Sequence, residues 1–171
     1  VKDFTQVAMM VKTVLFLCVK PGSPFKTPGE IAEYGRKNPG KLTYGSSGNG
    51  GNLHLGGAMM ERATGTKMLH VPFKETSQIY VSVNTGDLQW AVGTASTTQP
   101  LLKANKIKYL AITAPKRSPL FPNVPTVAES QGPANYELQT WVSLYAPAGV
   151  PKPVVAKINA DVGRVLQDPE V

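Results

Sequence analysis

The sequence is poor in the residues that most enzyme and metal chemistry needs. It holds one cysteine and two histidines in 171 residues. Cys18 lies in the apolar run VLFLCVK, so no disulfide can form within the chain and a buried, inert thiol is expected. A lone cysteine leaves the redox compartment open. His54 and His70 have no partner at metal-ligand spacing and sit among apolar neighbours, the pattern of structural histidines. No pair of acidic residues is placed for acid–base work in the local sequence, and no metal or cofactor motif is present.

Charge is also scarce. Only 17% of residues are charged, below the ~25% usual in globular domains, while 42% are apolar, which argues against disorder. The formal charge is +7, yet no run of five basic residues occurs and no basic stretch is interleaved with aromatics. Nucleic-acid binding is therefore not expected, and the surplus leaves a mild attraction for anions. The longest apolar run, VAMMVKTVLFLCV, is broken by Lys12 and too short to cross a bilayer. The chain begins at Val1 without methionine or signal peptide and stops at LQDPEV. The expectation is an excised or processed piece, in which a missing signal carries little weight.

What is present alternates between strand and helix. QVAMMV and VLFLCVK read as two short buried strands. Thr27-Pro28-Gly29-Glu30 has the capping-box spacing with proline at the first helical position, so a helix should follow and stop before Pro39-Gly40. KLTYG, KMLHVPF, LQWAVG and IKYLAIT read as strands. Helices are expected after the glycine-rich loop, over SQIYVSVN and over TTQPLLKAN, with a short one from Thr126. LQTWVSLYAP is strand-like, and the last segment spaces Val154, Ile158, Val162 and Val165 as a helix does. This alternation predicts an α/β fold with a mostly parallel sheet. Trp90 and Trp141, both in strand-like segments, are expected in the core.

The most informative stretch is LTYGSSGNGGNLHL, from Leu42 to Leu55. Gly45 and Gly50 have the spacing of a phosphate-binding P-loop, but Gly51 and Asn52 stand where its lysine and hydroxyl belong. A dinucleotide fingerprint fails because Gly48-x-Gly50 is followed by Leu53 at its last position. A nucleophile elbow fails at Asn49. The chemistry common to all three survives. Backbone N–H groups at a helix start, with the hydroxyls of Ser46 and Ser47, make a neutral site for an anion, and a carboxylate suits it. A tight strand-to-helix turn without any ligand is the alternative reading of the same residues.

Four stretches together carry a specific resemblance: YGSSGNG…HL, HVPFK, KRSPLFPNVPTVAE and LYAPAGVPK. From Phe4 onward the chain resembles the periplasmic substrate-binding receptors of tripartite tricarboxylate transporters, the Bug receptors. The resemblance implies an α/β fold of the type II periplasmic-binding-protein kind, with a second lobe plus remnants of the first. On that mapping 1–19 is a first-lobe remnant, 20–114 the ligand-binding lobe, and 115–171 a crossover with a partial return. It implies no catalysis and no cofactor. A small carboxylate or dicarboxylate would be captured in the periplasm and delivered to membrane permease subunits. The residues implicated are Ser46, Ser47, Gly48, Asn49, Gly50, Gly51 and Asn52, with Phe73 and Thr94 shaping the pocket wall. Gly51 stands where the family often has a hydroxyl residue. Gly93 stands where many members have an aspartate that meets a ligand amino group, which favours a plain carboxylate. A missing half-clamp would lower affinity and expose lobe surface that a dimer could cover. An effector-sensing domain of a transcriptional regulator, or a phosphate- or nucleotide-binding enzyme, are the alternatives.

Overall fold

The computed structural model describes residues 2–169. The chain divides into two compact units, one of Val14–Gln139 and one formed by the segments before and after it. The first strand serves both. β1 runs unbroken over Phe4–Val19 where the sequence reading expected two strands. Nothing between Val11 and Val14 can turn the chain, since Lys12 and Thr13 fit an extended strand and no glycine or proline intervenes. Only the strand's last five residues are continuously buried.

In the larger unit those five residues build two cores at once. Leu15, Leu17 and Val19 point into one cluster, with Ile31, Met60, Tyr44 and Trp90. Phe16 and Cys18 point into the other, with Ile79, Tyr80, Val83 and Tyr109. Two-residue alternation with both faces apolar is what a strand covered on both sides requires. Helices α1 (Pro28–Lys37) and α2 (Asn52–Thr64) cover the first face. Helix α3 (Thr76–Thr85) covers the second, aided by α4 (Ala95–Lys103). Burial pushes the Cys18 thiol far up, so it is the inert core residue the sequence led us to expect.

The sheet is mixed, where a mostly parallel one was expected. β2 (Thr43–Ser46) and β3 (Leu69–Pro72) pair in parallel, and a parallel bridge from Tyr44 to Trp90 joins β2 to β4 (Ala91–Thr94). β1 lies between β4 and β5 (Lys108–Ile112), antiparallel to both. The helix-linked strands β2 to β5 thus share one direction, as helical crossovers impose, and β1 alone runs against them.

Local sequence explains the helix ends. Thr27 accepts the Glu30 backbone N–H at 3.2 Å, and the Glu30 carboxylate accepts the Lys26 N–H at 2.5 Å, fixing the start of α1 from both sides. Gly65, in the left-handed region at φ 64°, ends α2. Within α2, Gly57 lets the helix lie on Tyr44, because a Cβ there would come within 1.9 Å of the ring.

The smaller unit contains the first part of β1, β6 (Gln139–Pro147) paired to it, and α5 (Lys152–Val165). Asn159 ties α5 to the strand by donating to the Val7 carbonyl at 2.6 Å. The helix forms where the Val154, Ile158, Val162, Val165 spacing predicted it, yet none of its residues is buried. Trp141 also departs from expectation. It is 53% exposed, while Trp90 is fully buried. Trp141 lies in β6 and Trp90 in the bridge residue just before β4, but Trp90 has helices on its face and Trp141 belongs to a unit with little core of its own. Among the described residues no helix is long and apolar enough to cross a membrane.

Candidate functional site

The glycine-rich loop begins where β2 ends. Ser46, the last residue of β2, is fully buried. Its hydroxyl bonds both ends of one peptide residue, accepting the Gly48 N–H at 3.1 Å and meeting the Gly48 carbonyl at 3.0 Å. The same oxygen lies 2.5 Å from His70 Nε2. A hydroxyl has one proton and two lone pairs, so all three contacts are met together only when His70 Nε2 donates and Ser46 gives its proton to the Gly48 carbonyl. Gly48 and Gly50 stand at φ 123° and 81°, in the region that only glycine occupies without strain. Gly51 is the N-cap of α2, and it supplies no side-chain cap.

His54, in the first turn of α2, folds back so that its Nδ1 accepts the Gly50 N–H at 3.0 Å. Its ring centroid is 4.2 Å from that of His70, and His70 in turn stacks on Tyr44 at 5.2 Å. Burial pulls the His70 pKa down, and the neighbouring His54 charge adds to this, while Glu61 opposes both. Glu61 is held by the Met68 N–H at 2.6 Å and faces the Tyr44 hydroxyl at 3.4 Å. Burial is also the main cause that raises the Tyr44 pKa to about 12. The two histidines are thus structural, as expected. Their surroundings are not apolar, however, for both hold the loop by hydrogen bonds.

The residues singled out from the sequence divide by position. Ser47, Asn49, Gly50 and Asn52 are exposed, Gly48 and Gly51 half-buried, and Ser46 turned wholly inward. Phe73 follows β3, its N–H held by the Ser46 carbonyl at 2.8 Å. Thr94 closes β4 and caps α4. Its hydroxyl lies 2.9 Å from that of Ser96 and 3.1 Å from that of Thr97. Because β2, β3 and β4 run in one direction, all these positions lie at the carboxyl edge of the same strands, where α/β sheets collect ligands.

Sequence reasoning left out of the candidate set four residues that hydrogen-bond its members: His54, His70, Ser96 and Thr97. The signal for His70 was its register, opposite Tyr44 in the parallel pair and two residues before the strand's end. That pairing is invisible until β2 and β3 are known to be neighbours. Gly93 is sterically fixed, since a Cβ there would lie 2.3 Å from the Tyr80 hydroxyl. No acidic residue, lysine or arginine sits in the first turn of either α2 or α4. The loop therefore offers an anion N–H dipoles and hydroxyls rather than a counter-charge. Among the described residues no cluster of histidine, cysteine and carboxylates could hold a metal ion.

Comparison with known proteins identifies the family and the fold. The profile described as tripartite tricarboxylate transporter family receptor matches residues 1–171. A Pseudomonas sp. (strain P51) protein, described as the UPF0065 protein in the tcbD–tcbE intergenic region, is 29% identical over 99% of this chain and 51% of its own length. The chain thus spans about half the length of that relative. Among solved structures, Rpa4515 of R. palustris with adipate superposes with a TM-score of 0.88 at 30% identity, over 99% of this chain and 56% of that one. MatC from Rhodopseudomonas palustris with bound malate gives 0.85 at 29%, over 98% and 56%. The periplasmic binding protein BugD gives 0.83 at 29%, over 99% and 56%. The fold is accordingly α/β of the periplasmic-binding-protein kind, and the family is one of transporter receptors rather than enzymes.

Proposed function

The chain belongs to the tripartite tricarboxylate transporter receptor family, and from that premise we propose that it is the ligand-gripping part of a periplasmic receptor for a small carboxylate. The gripping lobe is placed at 20–114. The solute is captured without chemical change and passed to membrane permease subunits. The observation that carries this reading is the loop between β2 and α2. Two glycines at positive φ turn it, a buried hydroxyl and two histidines hold it, and its exposed residues are neutral donors at a helix start. A carboxylate can collect several such N–H and O–H bonds at once.

Ser47, Asn49, Gly51 and Asn52 present the donors. Gly48 and Gly50, expected from the sequence to offer their N–H groups too, give these to Ser46 and His54 and serve to turn the loop. Ser46 sets its geometry from beneath, and Phe73 and Thr94 bound the site. The two neighbouring dicarboxylate-bound structures, with adipate and malate, make dicarboxylates the first solutes to try. Gly93 favours acids without an amino group, since no carboxylate can stand at that position beneath Tyr80. The exposed apolar residues of the smaller unit, among them Phe4, Met9 and Trp141, are suited to cover by a second copy of the chain.

Isothermal titration with adipate, malate, glutamate and ATP tests the reading. Heat from the dicarboxylates, with glutamate weaker and ATP silent, is the expected result. Binding of ATP alone, or of glutamate in preference to its deaminated counterpart, would overturn it.

A further inference from the structure

A cavity in the larger unit has no part in the site described above. Its lining residue Gln89 is bonded to Thr43, the first residue of β2. That sets the cavity toward the sheet edge opposite the glycine loop, which leaves β2 at Ser46. Its volume is about 230 Å³ and its lining includes Lys20, Ser23, Phe25, Tyr34, Leu88 and Gln89. The composition is one-sided. Lys20, Ser23, Tyr34 and Gln89 all bring hydrogen-bond donors, and no carboxylate lines the cavity.

Those donors are unspent among the described residues. Lys20 is half-buried and its ammonium makes no ion pair or hydrogen bond. It sits over the carboxyl end of α3, where a Cβ on Gly86 would lie 2.7 Å from Nζ. A lysine there can simply complement the helix dipole, but the Ser82 carbonyl in that last turn is already taken by the N–H groups of Gly86 and Leu88. Asp87, next to Gly86, accepts the Thr85 hydroxyl at 2.6 Å. Gln89 is locked by its oxygen, which accepts the Thr43 N–H at 2.7 Å and faces the Thr43 hydroxyl, leaving its NH₂ group without a protein partner. Ser23, 3% exposed, accepts the Phe25 N–H through its hydroxyl oxygen at 3.2 Å, and its own proton has no acceptor. The Tyr34 hydroxyl has none either, its ring standing edge-on to Phe25 at 5.3 Å. Buried Phe25 and Leu88 supply the apolar surface.

We propose that this cavity is a second anion site, which takes a small carboxylate carrying a flat apolar body. The carboxylate lies between Lys20 and the Gln89 amide, and the body lies against Phe25 and Leu88. A half-buried ammonium with no counter-ion is costly to desolvate, and a ligand carboxylate relieves that cost. The volume is below the ~300–1,000 Å³ of drug-sized sites, which restricts the ligand to about one ring. The inference is independent of the role given to the glycine loop.

Benzoate is the probe, titrated into the 171-residue chain and followed by amide NMR shifts. Saturable shifts are expected at Ser23, Phe25, Gly86, Leu88 and Gln89. Lys20→Met should weaken them by roughly tenfold or more, as loss of a charge-assisted bond does, and Lys20→Arg should retain most of the affinity. Benzamide, neutral and of the same shape, should bind roughly tenfold more weakly. Tyr34→Phe removes one exposed hydroxyl without touching the fold and should weaken benzoate by a few fold. Should Lys20→Met fail to fold, Tyr34→Phe and benzamide still decide the matter. Shifts confined to residues 47–55, no saturable shift at Gly86 and Gln89, or equal binding of benzoate and benzamide would overturn the proposal.

Discussion

Replacing Ser46 by alanine should damage both stability and binding, although Ser46 itself is wholly buried. Its hydroxyl reaches three polar partners: the Gly48 N–H at 3.1 Å, the Gly48 carbonyl at 3.0 Å and His70 Nε2 at 2.5 Å. Each such bond is worth about 0.5–1.5 kcal/mol net, and a buried partner left unpaired costs about 1–3 kcal/mol. Gly48 is half-buried and water can reach part of its peptide, so the three losses do not add in full. About 2 kcal/mol is the expected total. For a chain of this length that corresponds to a fall in Tm of roughly 4–8 °C. Urea unfolding followed by circular dichroism measures the first effect. Titration with whichever dicarboxylate binds the wild type measures the second, which should be a loss of about tenfold or more as the loop that carries Ser47, Asn49 and Gly51 loses its fixed conformation. Ser47→Ala is the contrast. Its side chain is exposed, so stability should hold while affinity falls by about fivefold for one lost hydrogen bond. An unfolding free energy for Ser46→Ala within ~0.5 kcal/mol of wild type would refute the assignment of Ser46 as the loop's organiser. Lost stability with unchanged affinity would refute the link between loop order and binding.

Gly57→Ala places a Cβ within 1.9 Å of the Tyr44 ring, which is itself flanked by His70 at 5.2 Å and Trp90 at 5.5 Å. The helix gains about 1 kcal/mol in propensity but overpacking costs more, and a net loss of roughly 1–3 kcal/mol should appear in urea unfolding; a neutral result would show that α2 has room to move. His70→Gln tests the pH dependence. The folded His70 pKa lies below its ordinary value through burial and the His54 charge, so the unfolded chain takes up the proton first as pH falls. Stability from this group is intact above about pH 6.5 and is lost as pH drops through the folded value. Between pH 7 and 5 the wild-type urea midpoint should therefore fall more steeply than that of the glutamine variant, which keeps a donor for Ser46; parallel curves would contradict this. Gly51→Ser adds a cap to α2 at a position with extended backbone, φ −73°, where a Cβ meets nothing closer than 3.7 Å. A gain of a few tenths of a kcal/mol is expected, and a destabilised variant would mean that the loop cannot accept a side chain there.

Sequence reading located most elements because each was locally signalled. Thr27 and Pro28 start α1, Gly65 and Gly86 end α2 and α3, and the glycine-rich stretch falls between β2 and α2. It failed where the deciding contact was remote. β1 read as two strands because Lys12 interrupts its apolar run, whereas the real distinction is between residues in the smaller unit and those in the larger. Trp141 read as core because a strand pattern reports periodicity, and periodicity does not reveal whether anything covers the face.

The sequence by itself determined most of the secondary structure, the glycines that make the loop, and the family. These depend on local spacing, propensity and composition, each carried by residues close together in the chain. Tertiary structure decided the rest. It reversed β1 against four co-directional strands, set His70 against Ser46 across 24 residues, and gathered Lys20, Tyr34 and Gln89 around one cavity. Such juxtapositions follow from strand register and helix packing, which are settled by the burial of both sheet faces together and leave no mark on any single stretch of sequence.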